Sequence, residues 1–398
     1  MCALFGSLGI TGAFGCLRVP CHFLSGAFVP QTLQRAVIVY KISGVDNESE
    51  ASRTAFALNQ TNCNRQLNGH ENQCRIVDEL IHYFKKYGVE ASAVNKKGYD
   101  FAYAKCSDIV VSVGGDGTFL SAALKILENH KPIIGINSCP ISSEGSLCLP
   151  RHWHTNISTI VDRIMTGKFK VLRRQRIRLR VSTPPDQLTH LDEIFPRHLD
   201  SQGSVSHLHP VAGPKTETTT ATSSSTMYLL PVRALNEVFI SACMSARVSE
   251  YLISLDDGPQ ARQKSSGLLV CTGTGSSSWY SSMNQVDASL VSQLLSLAGE
   301  KRTPDDVASI VERFNRGLLF DAASPNMAYS VREVVKNHVF KFDSPRGFAK
   351  KIRLISCMND AYLSIDGWLS IPFENGACVE LSIDPEDALS VIDFPDST

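Results

Sequence analysis

Three short stretches of the chain carry residue types able to do chemistry together. The first is Gly114-Gly115-Asp116-Gly117-Thr118, which follows the apolar run Ile109–Val113 and opens an amphipathic stretch. A glycine turn between a strand and a helix lets backbone N–H groups approach a phosphate, and the helix N-terminus adds about half a positive charge. Asp116 is the only ionisable side chain in that turn. A carboxylate repels phosphate, so its use there is as a base toward a hydroxyl or as a metal ligand. The plainer reading, a helix cap, would not require glycine on three sides.

The second stretch is Asn236-Glu237, placed at the start of an apolar run. An amide beside a carboxylate suits ribose hydroxyls or an adenine amino group, against a plain polar pair at a strand end. The third is Gly273-Thr274-Gly275-Ser276-Ser277-Ser278-Trp279, with Ser282 beyond it. Its hydroxyls suit phosphate or amide groups and its ring offers a flat face, against a Ser-rich loop with no further role. Asn137 ends a strand pattern near the same crevice and is expected to order the loop there. Asp366-Gly367 reads chiefly as a turn. Arg173, Arg174, Arg176, Arg178 and Arg180 leave two readings open: a solvated strand face alternating with Ile177, Leu179 and Val181, or guanidinium forks for a triphosphate. The His152/His154 and His207/His209 pairs lack partners at metal-ligand spacing.

The elements that must position these residues alternate at first. Strands are expected at Ala36–Ser43, Val89–Val94, Ile109–Val113 and Pro132–Asn137, with helices over Glu71–Tyr87 and Thr118–Glu128, and a polar loop at 44–70. That order implies a parallel sheet covered on both faces. After about residue 170 the pattern becomes strands with few helices: Arg176–Val181, Asn236–Ser241, Glu250–Leu255, Gly267–Thr272, Met327–Val331, Lys351–Ile355 and Ala361–Ile365. This predicts a second, mainly antiparallel domain. The expected fold class is therefore α/β: an N-terminal Rossmann-like parallel sheet with helices at 36–170, then a β-rich domain at 171–398. The stretch 182–226, dominated by Ser, Thr, Pro and His, is expected to be a disordered loop, and 285–319 a helical insertion. The C-terminal segment is left free to pack back on the first domain.

Composition bounds the rest. The 398 residues are 43% apolar and 20% charged, with 39 basic and 39 acidic side chains. A neutral balance leaves no overall footprint for nucleic acid, and no long apolar run calls for a membrane. The 12 cysteines are scattered without a C-x-x-C, which points to reduced thiols. No acidic residue precedes Asp46, while Arg18, Arg35 and Lys41 are basic, so residues 1–35 read as a mitochondrial transit peptide.

The glycine pentapeptide resembles the GGDGT signature of the NAD kinase superfamily, which also holds diacylglycerol and sphingosine kinases. The Asn-Glu and Thr-Gly-Ser blocks follow in the family order. The runs Leu230–Ile240, Lys264–Gly267, Ser143–Pro150 and Arg174–Leu179 resemble the mitochondrial animal branch. The resemblance covers about residue 36 to the C-terminus and implies an NAD kinase/diacylglycerol kinase-like fold. It also implies ATP-dependent phosphorylation of the adenosine ribose 2′-hydroxyl of NAD to NADP in the mitochondrial matrix. Asp116 would be the catalytic base, with Mg²⁺ arriving on ATP. Gly117, Asn236, Glu237, Arg247, Lys264, Ser266, Ser277, Ser278, Trp279 and Ser282 would bind NAD. Gly114, Gly115, Thr118, Asn137, Arg176, Gly275 and Ser276 would bind phosphates or the donor. A homodimer is implied, with no nucleic acid and no membrane. Alternatives are a lipid kinase of the diacylglycerol type and a non-catalytic dinucleotide sensor. Ser266 stands where the family has an acid, Trp279 where it has Tyr, and Trp368 where bacterial members have Gln.

Overall fold

The computed structural model describes residues 33–41, 60–141, 143–182, 209–211, 227–244, 246–340 and 342–394. Most of the expected transit peptide (1–32) and most of the expected disordered loop (183–208 and 212–226) lie outside them.

The first sheet takes six strands: β1 (Arg35–Tyr40), β2 (Glu90–Asn95), β3 (Ile109–Val113), β4 (Pro132–Ile136), β5 (Lys170–Arg174) and β19 (Leu389–Asp393). Their order is β2-β1-β3-β4-β19-β5. All pairings are parallel except β19 with β5. β3 and β4 are buried at every position, because apolar side chains alternate onto two covered faces. One face, with Ile38, Val111 and Ile134, packs on helices α1 (Gln60–Lys86) and α4 (Ile157–Met165). The other, with Val37, Val110 and Ile133, packs on α2 (Phe101–Cys106) and α3 (Asp116–Ala123).

Helix α1 begins at Gln60, eleven residues before the expected start at Glu71. Its first turns are polar and carry no apolar stripe, so periodicity could not register them. Helix α3 ends at Ala123 rather than Glu128.

Two further sheets form a sandwich. One holds β6 (Ile177–Ser182), β7 (His209–Val211), β8 (Met227–Ala234), β10 (Ser249–Leu255), β11 (Ala261–Ser265), β15 (Lys351–Ser356) and β18 (Cys378–Ile383), in the order β11-β10-β15-β18-β6-β8-β7. The other holds β9 (Glu237–Ala242), β12 (Gly267–Cys271), β13 (Met327–Arg332), β14 (Arg346–Ala349), β16 (Ala361–Ile365) and β17 (Leu369–Pro372), in the order β14-β13-β12-β9-β16-β17. Neighbouring strands in both sheets pair antiparallel. The interior between them draws on both sheets, including Leu179, Ile240, Leu268, Ile352 and Leu363. The pair β7–β8 places strand at 209–211, inside the expected polar loop, and from 227 on, where that loop was expected to end. The stretch 285–319 folds as two helices, α6 (Ala288–Leu297) and α7 (Pro304–Arg316), after the short α5 (Trp279–Asn284). Asp287 caps α6, and Thr303 with Asp306 forms a reciprocal capping box on α7.

Candidate functional site

The strands β1 to β4 end on one edge of the parallel sheet, where open α/β sheets hold their ligands. Gly114 to Thr118 lies at that edge, after β3. Gly115 is the N-cap of α3 without a side-chain bond, and Asp116 is its first residue, so Asp116 is not the cap. Its carboxylate faces the loop after β4 instead. Oδ1 accepts from the Leu147 N–H at 2.8 Å and Oδ2 from the Ser146 N–H at 3.1 Å. An ionised carboxylate has about four acceptor positions, so this half-buried group keeps capacity for a hydroxyl.

Asn137 is buried and spends its amide on the same loop. Nδ2 donates to the Ser143 carbonyl at 2.9 Å, and Oδ1 accepts from the Cys139 N–H at 3.0 Å and the Ser143 hydroxyl at 3.2 Å. Gly145 sits over it at φ +69°, where a Cβ would collide with that amide. Asn137 therefore orders the loop that Asp116 grips, and its polar atoms are turned to protein rather than to an incoming phosphate.

The Asn236-Glu237 turn joins β8 to β9 and lies between the sheets, since Leu235 packs with the first sheet's core while Val238 packs in the sandwich. Asp366 holds it. This buried carboxylate accepts from the N–H groups of Leu235 (2.7 Å), Asn236 (2.8 Å) and Glu237 (3.0 Å). Burial pushes its pKa up and outweighs the three hydrogen bonds that pull it down. Glu237 is pushed up to about 8, first by burial and then by the Asp366 charge. The side chains of the pair are not fully satisfied: Asn236 Oδ1 and Glu237 Oε2 are buried with no hydrogen-bond partner. Buried polar atoms left unpaired are costly, so two of them side by side mark a binding surface.

The Thr274 to Ser278 turn packs directly on this pair. The Asn236 carbonyl accepts from the Thr272 N–H at 2.9 Å, and a Cβ on Gly275 would fall inside that carbonyl group. Ser276 turns inward, donating to the Gly273 carbonyl at 2.7 Å and accepting from the Phe320 N–H at 3.3 Å. Ser277, Ser278 and Ser282 are not buried, and the Ser282 hydroxyl donates to the Ser278 carbonyl. Trp279 packs on Phe239 with ring centroids 4.4 Å apart, so one face of its ring is already covered.

Arg174, at the end of β5, bridges the two halves. Its Nη1 donates to Thr274 Oγ1 at 3.4 Å, and its charge interacts with Asp393 and Asp116. Its Nε is buried without a partner. Sequence reasoning placed Arg174 in a cluster without singling it out; the signal available was its position immediately before a sheet-to-sheet crossing.

Several expectations change. Arg176 is 1% exposed, and its guanidinium donates to the carbonyls of Asp387 (2.6 Å) and Ile126 (2.5 Å). It clamps the two sheets together and does not face a crevice. Burial lowers its pKa to about 10. Arg178 and Arg180 form neither a solvated face nor a phosphate clamp: Arg178 pairs with Asp387 and Asp384, and Arg180 with Glu380. Arg247, Lys264 and Ser266 do not converge on Asn236 within one chain. β9 starts at Glu237 and pairs its far residue, Ala242, with Ala361, and Arg247 lies beyond that end, paired with Asp360 at 3.3 Å. Ser266 precedes Gly267, whose strand meets Glu237 only at Cys271. Lys264 pairs with Glu250 at 3.2 Å, and Ser266 donates to Glu333. Strand rise puts these residues roughly 15 Å or more from Glu237.

Among the described residues, no group of three or more His, Cys, Asp or Glu side chains is arranged to hold a metal ion, and no helix is long and apolar enough to cross a membrane.

No family model matches the chain. It is 34% identical over 387 residues to the mitochondrial NAD kinase 2 of Rattus norvegicus, covering 92% of this chain and 88% of that protein. It is 33% identical over 383 residues to the mitochondrial NAD kinase 2 of Homo sapiens, covering 92% and 85%. A yeast NADH kinase solved with NADH superposes with a TM-score of 0.55 at 11% identity, covering 92% of this chain and 85% of that one, which shows a shared fold.

Proposed function

The chain belongs to the mitochondrial NAD kinase 2 family, and from that membership we propose how its residues phosphorylate NAD. It is a mitochondrial NAD kinase, converting NAD to NADP with ATP as donor. In this reading Asp116 accepts the proton of the adenosine ribose 2′-hydroxyl as that oxygen attacks the γ-phosphorus of ATP, and the bond from that phosphorus to the β–γ bridging oxygen breaks to release ADP. The observation that carries it is the Asp116 carboxylate at the strand-end edge of the first sheet, across a seam that Arg174 bridges through Thr274, with the unpaired Asn236 and Glu237 side chains on the far side.

Asn236 and Glu237 hold the adenosine half of NAD. At neutral pH the raised Glu237 carboxyl is an O–H donor as well as an acceptor, which suits a ribose or a base edge. The N–H groups of Gly115 and Gly117 cradle phosphates, those of Gly114 and Thr118 being spent on the carbonyls of Ile136 and Gly115, while Gly275 and Ser276 shape the opposite wall. Ser277, Ser278, Trp279 and Ser282 border the dinucleotide. Mg²⁺ would be carried by the ATP phosphates and would neutralise charge there, since no group of side chains among the described residues is arranged to hold it. Phosphoryl transfer depends mainly on positioning and charge, so one carboxylate in a backbone cradle is sufficient machinery.

We place the domain boundary near residue 170, with 36–170 as the nucleotide domain and 171–398 as the NAD domain that returns β19 to the first. A homodimer accounts for Arg247, Lys264 and Ser266: standing far from Asn236 in their own chain, they are placed to meet a dinucleotide held by a second copy.

The test is purified full-length protein with NAD, ATP and Mg²⁺, read as NADP, with light scattering for a mass twice the 43.6 kDa chain. Asp116→Asn keeps NAD binding while turnover falls about 10²-fold or more. Near-normal turnover removes Asp116 from its role. NAD binding without product in the wild type would mark a dinucleotide sensor, and phosphorylation of diacylglycerol instead a lipid kinase.

A further inference from the structure

Ser266 lies between β11 and β12, where the chain crosses from one sheet of the sandwich to the other, and its N–H donates to the Arg332 carbonyl at 2.9 Å. Glu333 is the first residue after β13, so it stands beside Ser266, and the Ser266 hydroxyl donates to its Oε2. Two residues away on each strand, Lys264 and Val335 pair as an isolated antiparallel bridge. Gln263 and Ser265 are buried while Lys264 and Ser266 are not, so strand alternation turns Lys264 and Ser266 to one outer face.

The backbone singles out Glu333. Among the described residues, those other than glycine with a left-handed φ are Asp256, Asp257, Asp360, Asp366 and Glu333, the last at +50°. Four are aspartates, a type that tolerates this region, and Asp256 and Asp366 use their carboxylates to hold backbone N–H groups. Glu333 is longer and accepts no backbone N–H among the described residues. Strain with no structural return marks a functional position. Charge points the same way. Glu250 stands opposite Lys264 and is paired with Arg262 and, at 3.2 Å, with Lys264. Glu333 meets Arg332 Nε at 3.7 Å from Oε1, and its side chain is 66% exposed, so it is the carboxylate of this group with capacity to spare. Having donated its proton, the Ser266 oxygen keeps its lone pairs. The face thus offers two acceptors, Glu333 and Ser266, beside the Lys264 ammonium. A primary carboxamide presents the reverse pattern, two N–H donors and a carbonyl.

We propose that Glu333, positioned by Ser266, binds the nicotinamide carboxamide of a dinucleotide whose adenosine half sits on Asn236 and Glu237 of a second copy. The inference rests on the kinase and homodimer readings for where the dinucleotide lies. It makes Glu333 the residue that recognises the nicotinamide end. Its charge also disfavours a dinucleotide that carries a carboxylate in place of the carboxamide.

Calorimetry of the full-length protein without ATP tests it, since binding is then read apart from turnover. Glu333→Gln is expected to weaken NAD roughly tenfold, the scale of one lost charge-assisted bond. ADP-ribose, which has no nicotinamide, is expected to bind both proteins within about twofold of each other. Nicotinic acid adenine dinucleotide is expected to bind the wild type about tenfold or more weakly than NAD, a margin that Glu333→Gln narrows. Ser266→Asp/Glu333→Gln moves the carboxylate across the hydrogen bond and is expected to bring NAD affinity back to within about threefold of wild type. Glu333→Gly relieves the backbone, so it is expected to keep or raise the Tm while weakening NAD. Unchanged NAD affinity in Glu333→Gln would overturn the proposal, and so would equal loss of NAD and ADP-ribose. A Tm drop in Glu333→Gly with NAD affinity intact would reduce Glu333 to a turn residue. The full Glu333→Gln effect in a protein that light scattering shows to be monomeric would remove the second copy. If the wild type binds NAD through Glu333 yet makes no NADP, the kinase reading fails and this contact stands.

Discussion

The contact that most defines the Asn236-Glu237 turn is one carboxylate holding three backbone N–H groups. Asp366 reads in the sequence as half of an Asp-Gly turn, and nothing local announces that its partners lie about 130 residues earlier. Its effect passes to Glu237, whose carboxyl rises from 4.5 to about 8 through burial and the Asp366 charge. The sign follows from linkage. A raised acid is still protonated in the folded chain where the unfolded chain has lost its proton, so its contribution is full below the unfolded pKa and is lost as pH rises through about 8. Glu237→Gln keeps a donor and an acceptor but cannot titrate, while Asp366 is present in both proteins. The Tm advantage of wild type over Glu237→Gln is therefore expected to shrink steadily from pH 5 to pH 8.5. A gap that stays constant across that range would show that Glu237 is ionised in the folded protein. The chemistry of Asn236 and Glu237 was legible from their types; the raised pKa was not, because it depends on what surrounds them.

At the level of elements, the most apolar strands were legible, while the interior strands β8, β18 and β19 and most of the edges were not. β3, β4, β12 and β16 are apolar enough to show in the sequence, and they fall within a residue or two of their expected ends. β5, β14 and β17 are short, half-exposed and carry charge, Gly or Pro, so their pairing comes from partners rather than pattern. The glycine turns were legible as turns but not as contacts. Gly275 is required by the Asn236 carbonyl pressed against it, and backbone cannot move aside as a side chain would. Gly117, by contrast, is exposed, and a Cβ there would meet open space. Gly275→Ala is expected to cost about 1–3 kcal/mol of stability, the range for forcing atoms into packed space. Gly117→Ala is expected to change stability by about 0.5 kcal/mol or less. Denaturant unfolding of the two variants separates the cases, and equal effects would mean that the 275 turn relaxes away from Asn236.

Across the whole molecule, the chain's two regions are bound together by the return of its last strand. β19 inserts between β4 and β5, parallel to the first and antiparallel to the second. Leu389 and Val391 fill one face of the first sheet, and Ile392 and Phe394 the other. Arg176 fastens the same seam through the carbonyls of Ile126 and Asp387. Without β19, β4 and β5 become unpaired edges beside exposed core, a state that favours aggregation. Residues 33–175 alone are therefore expected to lack a cooperative unfolding transition. The register supplies a remedy: Arg174, at the end of β5, pairs with Leu389, at the start of β19, so the two strands can be joined directly. A chain of 33–175 followed by an Asn-Gly turn and 388–394 makes that hairpin local and restores the missing strand. It is expected to unfold cooperatively, because every strand of the six-stranded sheet is then present in one short chain. Calorimetry of the two chains decides the matter. A cooperative transition in 33–175 alone, at a temperature matching the joined chain, would show that β19 only covers a sheet already complete.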